Sequence, residues 1–167
     1  MAQEDRFAVI RFLVDKLKDV GKIRIQKLVY FLQWVFQVPL GYDYKMHYYG
    51  PYSDELNDDL VVMQLNKNVE VEADPSGYGY HIMPGSEAVA TMDEIMKTYS
   101  HLMDKCLEAF NIFNPNKLEI LSTLHFVKHI AGVSDKDKVI EKTAMLKPLF
   151  PKSLIEETYN ELKEITN

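Results

Sequence analysis

The sequence predicts an α+β fold that is mainly α: a winged-helix-like part with a β-hairpin over residues 1–84, packed against a helical part over residues 85–167. Two observations predict this class. The order before Pro84 is three helical segments followed by two alternating segments, which is the order of a winged-helix domain. Beyond Gly85, every apolar pattern has helical spacing. We expect the two parts to form one compact unit.

The first two helices follow from apolar periodicity. The pattern that begins at Phe7 predicts a helix over residues 4–19, which Gly21 is expected to end. A second helix is predicted over residues 24–36. Because this helix is apolar on most of its sides, we expect it to lie in the centre of the core.

A short strand, a third helix and a hairpin complete the first part. Residues 44–49 alternate and predict a short strand, which a Gly50–Pro51 turn should end. Ser53 is positioned to cap a third helix, whose buried stripe is Leu56, Leu60 and Met63. Strands are expected over residues 69–74 and 78–83, with a turn at 75–77. The remaining helices are predicted over residues 87–112, 115–131, 135–147 and 153–165.

Composition restricts the class of protein. Apolar residues make up 47% of the 167 residues, and charged residues make up 26%. This is the composition of a globular domain. No apolar run reaches the ~20 residues of a membrane span, and the start Met1–Asp5 is polar, unlike a signal peptide. The single Cys106 excludes an intrachain disulfide and fits a reducing compartment. We therefore expect a cytoplasmic protein with no membrane contact.

Tyrosines are concentrated in one segment, since five of the ten lie within residues 42–52. Tyrosine combines a large contact area with a polar tip, and is enriched where proteins bind one another. The alternative interpretation is that some of these rings pack the strand onto the core. The candidate partner-binding residues of this segment are Tyr42, Tyr44, His47, Tyr48, Tyr49 and Tyr52.

The third predicted helix is acidic, and this argues against specific binding of duplex DNA. A winged-helix DNA-binding protein inserts this helix between phosphates, where acidic side chains would be repelled. Its carboxylates Asp54, Glu55, Asp58 and Asp59 instead complete the candidate partner-binding set. Lys22, Arg24 and Lys27 form a small basic cluster, interpreted as a solvated helix start or an intramolecular partner of the acids. A transcriptional regulator that uses another surface is the main alternative function.

No catalytic, cofactor or metal motif is recognisable. The chain has no glycine-rich phosphate loop, no paired cysteines and no nucleophile motif. His125 and His129 have the i,i+4 spacing of metal ligands, but no third ligand can be named. We therefore predict a protein that is not an enzyme and that has neither a cofactor nor a metal. The oligomeric state is not predicted.

Two segments carry a resemblance to a known family: Gln26-Lys27-Leu28-Val29-Tyr30-Phe31, and Tyr49-Gly50-Pro51-Tyr52-Ser53-Asp54-Glu55-Leu56. They resemble the Panacea (SocA-like antitoxin) domain. The later segments 120–128, 138–141 and 146–150 resemble its YwgA-like branch. Trp34 departs from the smaller residue expected there. The motif residues Gln26, Lys27, Leu28, Tyr30, Gly50, Pro51 and Ser53 are interpreted as structural.

The resemblance implies an antitoxin-like or adaptor-like protein that binds and neutralises a protein toxin. It carries no catalytic residues over to this chain. YwgA-like proteins have no assigned activity for the most part, so the antitoxin function is an expectation. The mechanism that we expect is steric occlusion by aromatic side chains, with acidic residues steering a basic partner.

Overall fold

A computed structural model describes residues 1–167 and confirms the predicted class, α+β and mainly α. The N-terminal part consists of α1 (Gln3–Leu17), β1 (Val20–Gly21), α2 (Lys22–Trp34), β2 (Lys45–His47), β3 (Gly50–Tyr52), α3 (Asp54–Leu65), β4 (Val69–Ala73) and β5 (Tyr80–Pro84). The C-terminal part consists of α4 (Met92–Phe110), α5 (Pro115–His125), a π-helical turn (Phe126–Ile130), α6 (Lys136–Leu146) and α7 (Lys152–Thr166).

The first three helices and a three-stranded sheet form the winged-helix-like unit. The sheet has the strand order β1-β5-β4, and all of its pairs are antiparallel. Strand β1 was not predicted, because Gly21 was expected to end the first helix. Instead α1 ends at Leu17, followed by Lys18 with φ +67°, and Gly21 pairs with His81 before α2 begins. The β4–β5 hairpin is the wing.

A second hairpin is inserted between α2 and α3, and here the predicted turn was wrong. His47 pairs with Gly50, so the turn consists of Tyr48 and Tyr49. Gly50 and Pro51 belong to β3 rather than to a turn. Gly50 has φ +93°, a conformation that a residue with a side chain rarely adopts. The prediction that Ser53 caps α3 is confirmed, since its Oγ accepts a hydrogen bond from the Leu56 amide at 3.3 Å.

A single core joins the two parts of the chain. One cluster of 37 buried hydrophobic residues contains side chains from both sides of Pro84. Helix α4 packs on α1 and α2, while α5 packs on α2 and β3. The rings of Phe31 and Phe110 are stacked, with centroids 3.8 Å apart. The β2–β3 hairpin therefore rests on a helix from each part, which fixes its position.

None of the helices combines the length and the apolar character that a membrane span would need.

Candidate functional site

Helix α2 holds the tyrosine-rich segment through two buried or half-buried glutamines. The Gln26 amide donates to the Ser53 carbonyl at 2.9 Å and accepts from the Ser53 amide at 3.0 Å. The Gln33 amide makes the same pair of hydrogen bonds with the backbone of Tyr42, both at 2.9 Å. The side chains are seven positions apart and lie on one face of the helix. Their hydrogen bonds hold both ends of the segment 42–53 against α2. This is a structural role, of the kind predicted for Gln26 and Ser53.

Two buried lysines hold the hairpin between those ends. Lys27 Nζ donates to the Pro51 carbonyl at 2.6 Å, and Lys147 Nζ donates to the Tyr48 carbonyl at 2.6 Å. Their exposed fractions are only 2% and 4%, which corrects the interpretation of Lys27 as a solvated side chain. Lys147 also forms an ion pair with Glu119 at 2.8 Å. The hairpin backbone is therefore bonded at its tip and at β3 to two buried lysine side chains beneath it.

Part of the predicted binding segment is exposed at the tip of the hairpin. Tyr48 is 72% exposed and Tyr49 is 49% exposed, with their ring centroids 4.9 Å apart in an edge-on contact. His47 is also exposed, and its ring lies 5.0 Å from that of the half-buried Tyr52. These four residues can reach a partner without any change of the backbone.

Three of the predicted contact residues are corrected by their burial. Tyr42 is 2% exposed, so it packs in the core rather than on the surface. The Tyr44 ring packs edge-on against Tyr30 at 5.0 Å, and its hydroxyl is buried without a hydrogen-bond partner. Asp59 is also 2% exposed. Consecutive strand and helix positions face different ways, so only some members of a polar or aromatic run can lie at the surface.

Asp59 is the centre of a buried polar network. It accepts hydrogen bonds from the Tyr42 hydroxyl at 2.6 Å, from Arg6 Nε at 2.8 Å and from Gln3 Nε2 at 2.9 Å. The interaction with Asp59 raises the pKa of Arg6 above its ordinary value. The sequence did contain a signal that Asp59 is buried. Asp59 occupies the i+3 position between Leu56 and Leu60, within the buried stripe of α3.

The exposed face of α3 is less acidic than predicted. Asp54 forms an ion pair with Lys45 at 2.5 Å. This leaves Glu55 and Asp58 as the unpaired carboxylates on the exposed face of α3. The second half of the helix exposes apolar side chains instead, with Val61 at 47% and Leu65 at 77%.

Sequence reasoning missed several residues that extend the exposed aromatic tip. Tyr78 and Tyr80 of the wing are 87% and 53% exposed, and Ile23 at the start of α2 is 41% exposed. On the opposite side of the hairpin, Leu146 and Leu149 are 45% and 85% exposed. Tyr78 lies in the turn before β5, and its position between Gly77 and Gly79 was a usable signal of exposure, since turns lie at the surface. We call the following set the aromatic surface: Ile23, His47, Tyr48, Tyr49, Tyr78, Tyr80, Leu146 and Leu149.

Three clefts run through this surface, and Tyr49 lines all of them. One cleft, of about 450 Å³, lies between the hairpin and residues 146–150. A second, of about 400 Å³, lies between the starts of α2 and α5 and the wing; we call it the lysine cleft because Lys27 lines it. The third, of about 370 Å³, connects the lysine cleft with the outer side of the hairpin. Tyr49 is therefore the one residue that all three clefts share.

Of the other candidate chemical groups, His125 and Cys106 are buried, while His129 is exposed. His125 Nδ1 is 2.7 Å from the Tyr30 hydroxyl, and the ring centroids of His125 and His129 are 4.4 Å apart. Burial lowers the pKa of His125 to about 3, so this imidazole is neutral at physiological pH. No group of three or more His, Cys, Asp or Glu residues is close enough to hold a metal ion. Cys106 is buried, and burial raises the pKa of its thiol.

In comparisons with known proteins, no protein-family model matches the chain and no curated protein matches it.

Proposed function

We propose that this protein is a non-catalytic binding module that captures a protein partner on the aromatic surface, in the manner of an antitoxin. The observation that carries the proposal is a tyrosine hairpin that is exposed at its tip and held rigidly beneath. Monomeric proteins rarely leave a contiguous group of large apolar side chains exposed without a binding function. The expectation of a cytoplasmic location belongs to the same proposal.

The rigid backbone supports this function energetically. Gln26, Lys27, Gln33 and Lys147 all bind backbone groups of residues 42–53, so the hairpin has little conformational freedom to lose. Association normally costs about 0.5–1.5 kcal/mol for each flexible side chain that becomes ordered. Tyrosine has few rotatable bonds, so Tyr48 and Tyr49 offer large contact areas at a small entropic cost.

The charge of α3 supports a partner that places a basic patch beside this helix. Glu55 and Asp58 lie unpaired on α3, which directly follows the hairpin, in a chain of net charge −6. Such charges raise the association rate of an oppositely charged protein more than they slow its dissociation. A toxin bound in this way would be blocked by occlusion, without a chemical reaction.

The alternative function, a winged-helix transcriptional regulator, has one observation in its favour. The chain order α1-β1-α2-α3-β4-β5, apart from the inserted β2–β3 hairpin, together with the strand order β1-β5-β4, is the arrangement of DNA-binding winged helices. Against it, the exposed half of α3 carries Glu55 and Asp58, and the wing exposes Glu70 and Glu72. A DNA-binding function would therefore require a different face.

The test is a pull-down from native cells followed by binding kinetics on the recovered protein. Replacing both Tyr48 and Tyr49 by alanine should weaken the complex at least about tenfold, since truncating a central aromatic contact residue costs more than about 1.4 kcal/mol. The loss should appear as faster dissociation. Ile112→Ala is the matched control, because Ile112 is 75% exposed and lies outside the aromatic surface.

The antitoxin part of the proposal has its own readout. Expression of the recovered partner alone should arrest growth, and coexpression of this protein should relieve the arrest. The double tyrosine variant should fail to relieve it, while Ile112→Ala should succeed. A partner that binds the double variant as tightly as the unchanged protein would exclude the aromatic surface as the binding site.

A further inference from the structure

Positively charged side chains are concentrated in the lysine cleft, although the protein as a whole is acidic. Lys22, Arg24 and Lys27 all line it, and none of them forms an ion pair with a carboxylate. Arg24 is bound only by neutral acceptors, with Nη2 donating to the Phe113 carbonyl at 2.8 Å and Nη1 donating to the side-chain oxygen of Asn111 at 3.2 Å. Its guanidinium is therefore fixed in place while its charge remains uncompensated.

Lys27 provides a buried ammonium group at the floor of the cleft. Its one hydrogen bond goes to the Pro51 carbonyl, although an ammonium group has three N–H bonds to donate. Glu119 is the only carboxylate that lines the lysine cleft, and its ion pair is with Lys147. Burial outweighs the attraction of Glu119 and lowers the pKa of Lys27 to about 7. An anion in the cleft would supply the missing hydrogen-bond acceptor and stabilise the charged form of Lys27.

One uncapped helix N-terminus adds to this field. The first turns of α2 and α5 both line the lysine cleft, through residues 22–24 and 115–116, but α5 is capped by Asn114 and begins with Pro115, which has no N–H. Helix α2 has no side-chain cap at Gly21 and no acidic residue in its first turn. Free backbone N–H groups at a helix start, together with the helix dipole, favour negative charge and phosphate groups in particular.

The walls of the lysine cleft are aromatic. Tyr49, Tyr78 and Tyr80 line it together with the apolar side chain of Ile23. Lys22 Nζ lies 5.4 Å from the centre of the Tyr80 ring, while the 87% exposed Tyr78 has an accessible face. Aromatic faces bind planar rings, such as nucleic-acid bases, by stacking. The volume of about 400 Å³ is within the usual range of small-molecule sites, about 300–1,000 Å³.

We propose that the lysine cleft binds a small phosphorylated ligand with a planar ring, of the nucleoside monophosphate class. The phosphate faces Lys22, Arg24 and Lys27, and the ring stacks on the tyrosine wall. This site goes beyond the proposed function, because it requires no protein partner and depends on the basic side chains of the cleft, although its tyrosine wall shares Tyr49, Tyr78 and Tyr80 with the aromatic surface.

The experiment is calorimetric titration of the purified protein with adenosine monophosphate, adenosine and inorganic phosphate. The nucleotide should bind at least about tenfold more tightly than either of its parts, because only the nucleotide uses both halves of the site. Lys22→Glu should weaken nucleotide binding at least about tenfold by placing a negative charge at the rim. Lys97→Glu is the matched control, since Lys97 is exposed on α4 and does not line the cleft, and should leave the affinity unchanged.

A second variant tests the buried charge itself. Lys27→Met removes that charge at similar length, together with the hydrogen bond to the Pro51 carbonyl, and should abolish nucleotide binding. A retained circular dichroism spectrum and thermal midpoint would show that the loss is not caused by unfolding. Absence of nucleotide binding at about 1 mM ligand, or an unchanged affinity in Lys22→Glu, would overturn the proposal. Phosphate that binds as tightly as the nucleotide would overturn the stacking contact. A single-stranded oligonucleotide that binds more tightly than the nucleotide would overturn the small-ligand class.

Discussion

Single residues show how the hairpin and α3 are held in position. Gly50 has a backbone conformation and a neighbourhood that both exclude a larger residue, and Asp59 satisfies three side chains at once. Neither residue is exposed for direct contact with a partner. Both determine where the exposed tyrosines can lie, so their substitution should act on stability before it acts on binding.

Gly50→Ala should destabilise the protein by about 1–3 kcal/mol. A β-carbon at this position would lie 3.2 Å from Thr123 Oγ1 and 3.3 Å from Ser122 Oγ, in addition to the strain of φ +93°. Gly41→Ala separates the backbone strain from the steric contact. Gly41 has φ +82°, but no atom lies within 4 Å of the place that its β-carbon would take. Thermal melts should show a larger loss for Gly50→Ala. Equal losses would mean that α5 does not constrain β3.

Asp59→Ala should cost about 3–5 kcal/mol, because it leaves the Tyr42 hydroxyl and the Arg6 guanidinium without their partner. Part of the Arg6 charge can reach solvent, which favours the lower end of that range. Asp58→Ala is the matched control: this neighbour is exposed, and its replacement should change stability by no more than about 0.5 kcal/mol. Denaturant titrations measure both values. Similar midpoints for the two variants would contradict the buried network.

At the scale of elements, the wing is fastened to the rest of the sheet by a histidine between two carboxylates. His81 Nδ1 lies 2.8 Å from an Asp19 oxygen, and Nε2 contacts Asp74 in the wing turn. The hydrogen bonds with Asp74 and then Asp19 raise the pKa of His81 above its ordinary value. Hydrogen bonds from Ser76 and then His81 lower the pKa of Asp74 to about 2. The wing carries Tyr78 and Tyr80, so this contact positions part of the aromatic surface.

The wing contact should make stability depend on pH. A raised folded-state pKa means that the stabilisation by His81 is complete below its unfolded-state pKa of about 6.5 and is lost as pH rises through the folded-state value. Thermal midpoints of the unchanged protein and His81→Asn should therefore differ more at pH 6 than at pH 9. His101→Asn, at an exposed position on α4, is the control and should show no such dependence. A difference that is constant with pH would exclude the charged contact.

At the scale of the whole molecule, the distribution of charge determines which macromolecules can approach. We predict that the protein does not bind duplex DNA specifically, because the exposed acids of α3 and the wing repel phosphates. Fluorescence anisotropy at moderate salt should show only weak association that is independent of sequence. Saturable binding to one sequence with a Kd below about 1 μM would contradict this and favour the regulator.

The sequence by itself determined the class of the fold and most of the helices. Apolar periodicity predicts α1, α2 and α5, and local chemistry predicts the cap at Ser53, because both depend on interactions within a few residues. The tyrosine-rich segment was also recognisable, since composition is local. Strand β1 was not, because a strand of two residues exists only through its pairing with β5.

Only the tertiary structure decided which polar and aromatic residues face solvent. Asp58 and Asp59 are adjacent acids, but Asp59 meets Arg6 and Tyr42, which are 53 and 17 positions away in the chain. Lys27 and Lys147 lie beneath the hairpin because α2 and the end of α6 converge there, and nothing in their neighbouring residues indicates this. Burial of a charged side chain is favourable only when its partners are present, and those partners come from distant segments.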